Sequence, residues 1–154
     1  MDESTIDQVL TEDLIVLAEP PANKPDAIEY MLDIAVEAGR VTDRATALEA
    51  VLEREKQSTT GVGKGIGIPH AKTDAVREPT VVFTRSTEGI DFDSMDDQPA
   101  KLLFLLLVPA EGGEEHLSIL SSLSRALMHD EVREDLLAAD SSAAVRDIIV
   151  DALT

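Results

Sequence analysis

The sequence has no cysteine and no tryptophan, and aromatic residues make up only 3% of its 154 positions. Without cysteine there can be no disulfide framework, no thiolate zinc site and no thiol nucleophile. With three Phe and one Tyr, the core must be built from Leu, Ile, Val and Ala. Long apolar runs are also missing. The longest, Leu102 to Val108, falls far short of the roughly 20 residues that span a bilayer. The start, Met1-Asp2-Glu3-Ser4, lacks the basic and apolar regions of a signal peptide. A soluble, cytoplasmic protein with no membrane insertion is expected, and residues 1–154 are expected to form a single domain.

Basic residues are scarce too. Lys and Arg total 13 against 31 Asp and Glu, a formal charge of -18. Such a chain repels a phosphate backbone, so nucleic-acid binding is excluded as a main activity. The acids are spread along the chain, and only five of the bases are Lys. Scattered acid with few Lys and few aromatics points to a halophilic protein, whose self-repulsion salt would screen. An ordinary acidic cytosolic protein is the plainer alternative.

What is present reads as alternating strands and helices, with no internal repeat. Leu14 to Ala18 is a short strand candidate. Asn23 to Pro25 looks like a helix start, Ile28, Leu32, Ala35 and Val36 follow at helical spacing, and Gly39 is a plausible stop. Thr42-Asp43 can cap a second helix that runs out near Lys56. Glycines at 61, 63, 65 and 67 argue against helix and read as a turn and a short extended piece ending at Pro69. Thr80 to Arg85 is β-branched and predicts a strand, and Gly89 to Phe92 another short extended piece. Lys101 to Val108 predicts a strand buried on both faces. Three helices follow, the first with His116, Leu120, Leu123 and Leu127 on one face, then Glu131 to Ala138 and Ser142 to Leu153. The expected fold is α/β: a three-layer α/β/α sandwich with a mixed central sheet flanked by helices.

Candidate chemistry falls on the three histidines, His70, His116 and His129, since imidazole can be nucleophile, proton carrier or ligand. His70 follows Pro69 at the mouth of the glycine stretch, where small residues let another molecule come close. Taken alone it could equally be a loop histidine without a role. His116 on its helix face reads first as structural, and His129 as a helix-end residue. Lys64 is followed by Gly65, not Ser or Thr, so there is no P-loop. Ile66 and His70 stand where the dinucleotide motif needs its last glycine. No HExxH and no G-x-S-x-G occur, so zinc and serine-hydrolase chemistry have no support.

The string Leu52-Glu53-Arg54-Glu55-Lys56-Gln57-Ser58-Thr59-Thr60-Gly61-Val62-Gly63, followed by Gly67-Ile68-Pro69-His70-Ala71, resembles the signature of the fructose/mannitol IIA family of the phosphotransferase system. The later run His116-Leu117-Ser118-Ile119-Leu120-Ser121-Ser122-Leu123 resembles that family's second histidine helix. The resemblance implies that His70 is the phosphohistidine, that Arg54 stabilises phosphoryl charge and that His116 supports the phosphorylated state. Thr60, Gly61, Gly63 and Gly67 would form the phosphoryl loop. It further implies a phosphocarrier that needs no cofactor and no metal. Such a carrier would accept from the HPr phosphocarrier protein and donate to the IIB component of a sugar permease, with fructose the first guess. A nitrogen-type IIA regulator is the alternative within the resemblance. An apolar docking surface is expected around His70, with Val62, Ile66 and Ile68 contributing.

Overall fold

The computed structural model describes residues 3–111 and 113–154, and of Glu115 and His116 the backbone alone. The chain runs α1 (Glu3–Val9), β1 (Ile15–Val16), α2 (Lys24–Glu37), α3 (Arg44–Gln57), β2 (Gly61–Gly63), β3 (Ile66–Gly67), β4 (His70–Lys72), β5 (Thr80–Ile90) and β6 (Ala100–Val108). It ends with α4 (Gly113–Ala126), α5 (Asp130–Ala138) and α6 (Ser142–Leu153).

The sheet is organised by β6. From Leu102 to Val108 every residue is buried, which requires cover on both faces of the sheet. The strand order is β1-β5-β6-β3-β2, with β4 also pairing on β6. β5 and β6 are antiparallel, whereas β3 and β4 both run parallel to β6. The sheet is therefore mixed. Phe83 and Phe104 are register partners across β5 and β6, and their rings meet edge to face at 5.1 Å, the geometry favoured by the ring quadrupoles. Val81 and Phe104 face α1, α4, α5 and α6. The pair α2–α3 packs on β4, β5 and β6. The two helix groups sandwich the sheet, and the molecule is an α/β sandwich.

Local signals set the helix ends. The Asn23 side chain accepts from the Asp26 amide at 3.0 Å, with Pro25 in the first turn of α2. Asp43 accepts from the Thr46 amide at 3.2 Å, and Ser141 from the Ala144 amide at 3.1 Å. Each satisfies an amide that the helix itself leaves open. α2 ends in a Schellman motif: Gly39 has φ +76°, its amide donates to Val36 O, and the Arg40 amide to Ala35 O, both at 3.0 Å. Only glycine takes that backbone turn without strain.

Three expectations are corrected in detail. β1 is just Ile15–Val16, because Glu12–Leu14 forms a 3-10 turn. The strand expected over 80–85 runs on through Gly89 and Ile90 as β5, with a register shift between Arg85 and Ile90, so the piece expected at 89–92 is not a separate strand, and Asp91 and Phe92 lie beyond its end. α1 adds a helix where no element is expected, and it is held by burying Ile6 and Val9. Among the described residues, no helix is long and apolar enough to cross a membrane.

Leu105 sits fully buried in β6 opposite Val82. Leu105→Ala is expected to destabilise the protein by about 2–5 kcal/mol in urea unfolding, the range for a buried Leu that leaves a cavity.

Candidate functional site

His70 is the first residue of β4 and lies in register with Leu106 of β6. Pro69, just before it, has no N–H to give, and its carbonyl accepts from the Leu106 amide at 3.0 Å. The imidazole is thus anchored to the most buried strand of the sheet. Only 7% of the residue is exposed. Its Nδ1 lies 2.7 Å from the carbonyl oxygen of Ile68. A carbonyl can only accept, so Nδ1 carries the proton and Nε2 carries the lone pair.

The glycine stretch before it is a β-hairpin. β2 and β3 pair antiparallel, with Gly63 opposite Ile66. Lys64 and Gly65 form the two-residue loop, both at positive φ (58° and 78°), as a type I′ turn requires. The Ile68 amide then donates to Thr60 O at 2.9 Å, which ties the approach to His70 back to the start of the hairpin. A Cβ on Gly61 would stand 2.5 Å from Ser94 Oγ and 2.8 Å from Phe92 O. One on Gly67 would stand 3.0 Å from the Phe92 ring. Gly63, at φ +90°, would place its Cβ 3.2 Å from Asp96 Oδ2. The bare glycines here admit the protein's own 92–96 loop.

Arg54 is in the last turn of α3, and its Nη1 donates to Ser58 O at 3.0 Å. Burial pushes the proton affinity of His70 below the usual histidine range. The Ile68 carbonyl opposes that shift, the Arg54 charge adds to it and the Glu55 charge opposes it. His70 is therefore neutral at pH 7, and the charges of Arg54 and Glu55 are both felt at its ring.

Thr60 is buried, and its hydroxyl donates to the Glu55 carboxylate. Glu55 pairs with Lys24 Nζ at 2.6 Å, and Lys24 also donates to Phe92 O at 3.3 Å. Glu55 and Lys24 have no role expected from the sequence alone. The only available signal was the presence of Glu55 inside the Arg54–Gly63 string, and nothing local connects it with Lys24. His116 lies in the first turn of α4; its side chain is outside the described residues. His129 sits at the N-cap of α5 and makes no side-chain capping bond there. The expected apolar surface is corrected in part. Ile66 and Ile68 are buried in the core, while Val62 is 51% and Leu117 65% exposed. Ile66 and Ile68 point inward because β3 pairs with β6 and the Pro69 carbonyl that follows accepts from the Leu106 amide of the same strand. Among the described residues, no group of three or more His, Asp or Glu is arranged to hold a metal ion.

The family model of the phosphoenolpyruvate-dependent sugar phosphotransferase system, EIIA 2, matches residues 8–152. A fructose-specific EIIA component of the phosphotransferase system from Haloferax volcanii is 64% identical over 151 residues, covering 98% of each chain. The fold is similar to that of the nitrogen regulatory protein IIA-Ntr from Neisseria meningitidis. There the TM-score is 0.87 and the identity 33%, over 94% of this chain and 98% of that one. It is also similar to the mannitol enzyme IIA of Escherichia coli, solved in complex with phosphorylated enzyme IIB. There the TM-score is 0.79 and the identity 28%, over 92% of this chain and 97% of that one.

His70 binds a proton less readily in the folded protein than in the unfolded chain, whose histidines titrate near 6.5. The unfolded state therefore takes up more protons as pH falls, and the stability present above pH 6.5 is lost progressively below it. Thermal melts between pH 8 and 5 should show this slope in the wild type. His70→Gln should flatten it between pH 6.5 and 5, above the range where the carboxylates dominate.

Proposed function

This chain belongs to the EIIA type 2 family of the sugar phosphotransferase system, whose members are phosphotransfer proteins, and from that premise we propose that it carries a phosphoryl group on Nε2 of His70. It takes the group from phosphorylated HPr and passes it to the IIB component of a sugar permease, with fructose as the sugar. One such domain accounts for residues 1–154, working in the cytoplasm. The observation that carries this reading is the 2.7 Å contact between Nδ1 and Ile68 O.

The chemistry follows from that contact. The Nε2 lone pair attacks phosphorus in line with the donor nitrogen. The donor's P–N bond breaks, and its electron pair returns to the donor imidazole. Phosphoryl transfer of this kind asks the protein mainly for positioning and charge stabilisation. As the Nε2–P bond forms, the His70 ring gains positive charge. Its Nδ1–H strengthens the hydrogen bond to Ile68 O, which supports the charged ring. That charge keeps the ring a good leaving group, so the group can move on. The three phosphoryl oxygens need donors or cations. Arg54 supplies one, its charge already reaching the His70 ring. His116 supplies another by analogy with the family motif. Thr60, Gly61, Gly63 and Gly67 shape the hairpin that presents His70.

The fructose reading is supported by 64% identity to a fructose-specific component, against 33% to a nitrogen regulatory protein. The charge of -18 supports a halophilic protein, as does the likeness to a Haloferax sequence. In molar salt the Debye length is about 3 Å. Docking then relies on exposed apolar side chains such as Val62 and Leu117 more than on charge steering.

Incubation with phosphoenolpyruvate, enzyme I and HPr in matching salt should raise the intact mass by one phosphoryl group, labile to acid and stable to alkali. His70→Ala should remain unmodified. His116→Ala should still accept the group and transfer it slowly. Phosphate retained in His70→Ala would remove the basis of this reading.

A further inference from the structure

A nearly buried carboxylate stands behind the hairpin. Glu55 is 9% exposed at its side chain and 2.6 Å from Lys24 Nζ. Burying such a pair adds little stability by itself, because desolvation offsets the Coulombic gain. Its placement is informative. The same carboxylate accepts from the Thr60 hydroxyl, and more weakly from the Thr60 amide at 3.4 Å. Thr60 O accepts from the Ile68 amide at 2.9 Å. Ile68 O accepts from His70 Nδ1 at 2.7 Å. The links form one series: Lys24, Glu55, Thr60, Ile68, His70. It starts at the N-terminal end of α2, passes through the last turn of α3, and ends on the imidazole.

From this series we propose that Glu55, held by Lys24, is a positioning residue that sets the His70 tautomer through Thr60 and the Ile68 carbonyl. The inference rests on the reading of His70 as the phosphoryl acceptor. Glu55 makes no contact with the reacting nitrogen. It fixes Thr60, and Thr60 fixes the residue whose carbonyl selects Nδ1–H. A loosened Thr60 lets the Ile68 carbonyl turn away, and the proton is then shared between Nδ1 and Nε2. Each ring with its proton on Nε2 has no lone pair there to attack phosphorus. Lys24 offsets the carboxylate charge, so the support does not repel the incoming phosphoryl dianion.

The test uses the full-length protein, with imidazole nitrogens observed by long-range 1H–15N correlation. The wild type should show Nδ1 protonated and Nε2 with the shift of an unprotonated ring nitrogen. Glu55→Ala should move both shifts toward a common average. It should also lower kcat for accepting phosphate from HPr by roughly 10- to 100-fold, the size expected for a misplaced reacting group, with KM unchanged. Thr60→Val, which keeps the side-chain shape, should do the same, and Thr60→Ser should restore both readouts. Should Glu55→Ala fail to fold, the Thr60 pair decides the matter alone. A folded Thr60→Val with wild-type ring shifts, or a rate loss confined to KM, would overturn the proposal. The tautomer can be read without phosphate. A wild type that shows the expected tautomer but takes no phosphoryl group would sink the phosphocarrier reading and leave the positioning intact.

Discussion

A single hydrogen bond, from His70 Nδ1–H to the Ile68 carbonyl, leaves the lone pair of the imidazole on Nε2. Without it the imidazole would exchange its proton between two nitrogens, and the lone pair would have no fixed address. The bond spans two residues, and Pro69 between them has its φ fixed by its ring. On one side, His70 is locked in register with Leu106. On the other, Ile68 is held by Thr60 at the start of the hairpin. The sheet holds the ring and the hairpin holds its acceptor, so the bond joins two separately anchored parts of the fold.

This arrangement explains why the hairpin is rich in glycine. Gly61 and Gly67 let the 92–96 loop lie directly against the strands, with Phe92 within van der Waals reach of both. Phe92 O in turn accepts from Lys24 and from the Thr59 hydroxyl. The hairpin is therefore clamped between the loop, α2 and the end of α3. A surface loop with this many glycines would otherwise lose more backbone entropy on ordering than its few apolar contacts recover. Burial then keeps His70 neutral, while Arg54 and Glu55 exert opposing charges on it.

Much of the frame was legible because its signals are local. The uninterrupted apolar run Leu102–Val108 marks a strand covered on both faces. Asn23, Asp43 and Gly39 mark helix ends through bonds that reach only three to five residues. His70 stands out as the candidate through the combined motif, because Arg54, Pro69-His70 and His116 follow one another in order in the matching context. What remained hidden depends on distant partners. Lys24 and Glu55 lie on different helices, and each reads locally as a solvated charge. Ile66 and Ile68 look like exposed residues of a glycine loop, until the pairing of Ile66 with β6 and the bond from the Ile68 amide to Thr60 O set them in the core. The tautomer depends on where one carbonyl points, which no residue pattern specifies.

Which nitrogen of His70 bears phosphorus can be read from a phosphorylated sample labelled with 15N. One-bond 31P–15N coupling identifies the ring atom bonded to phosphorus. Coupling is expected to Nε2 of His70, with the proton retained on Nδ1. Coupling to Nδ1 instead would mean that the Ile68 carbonyl does not govern the ring and that Nε2 is not the acceptor.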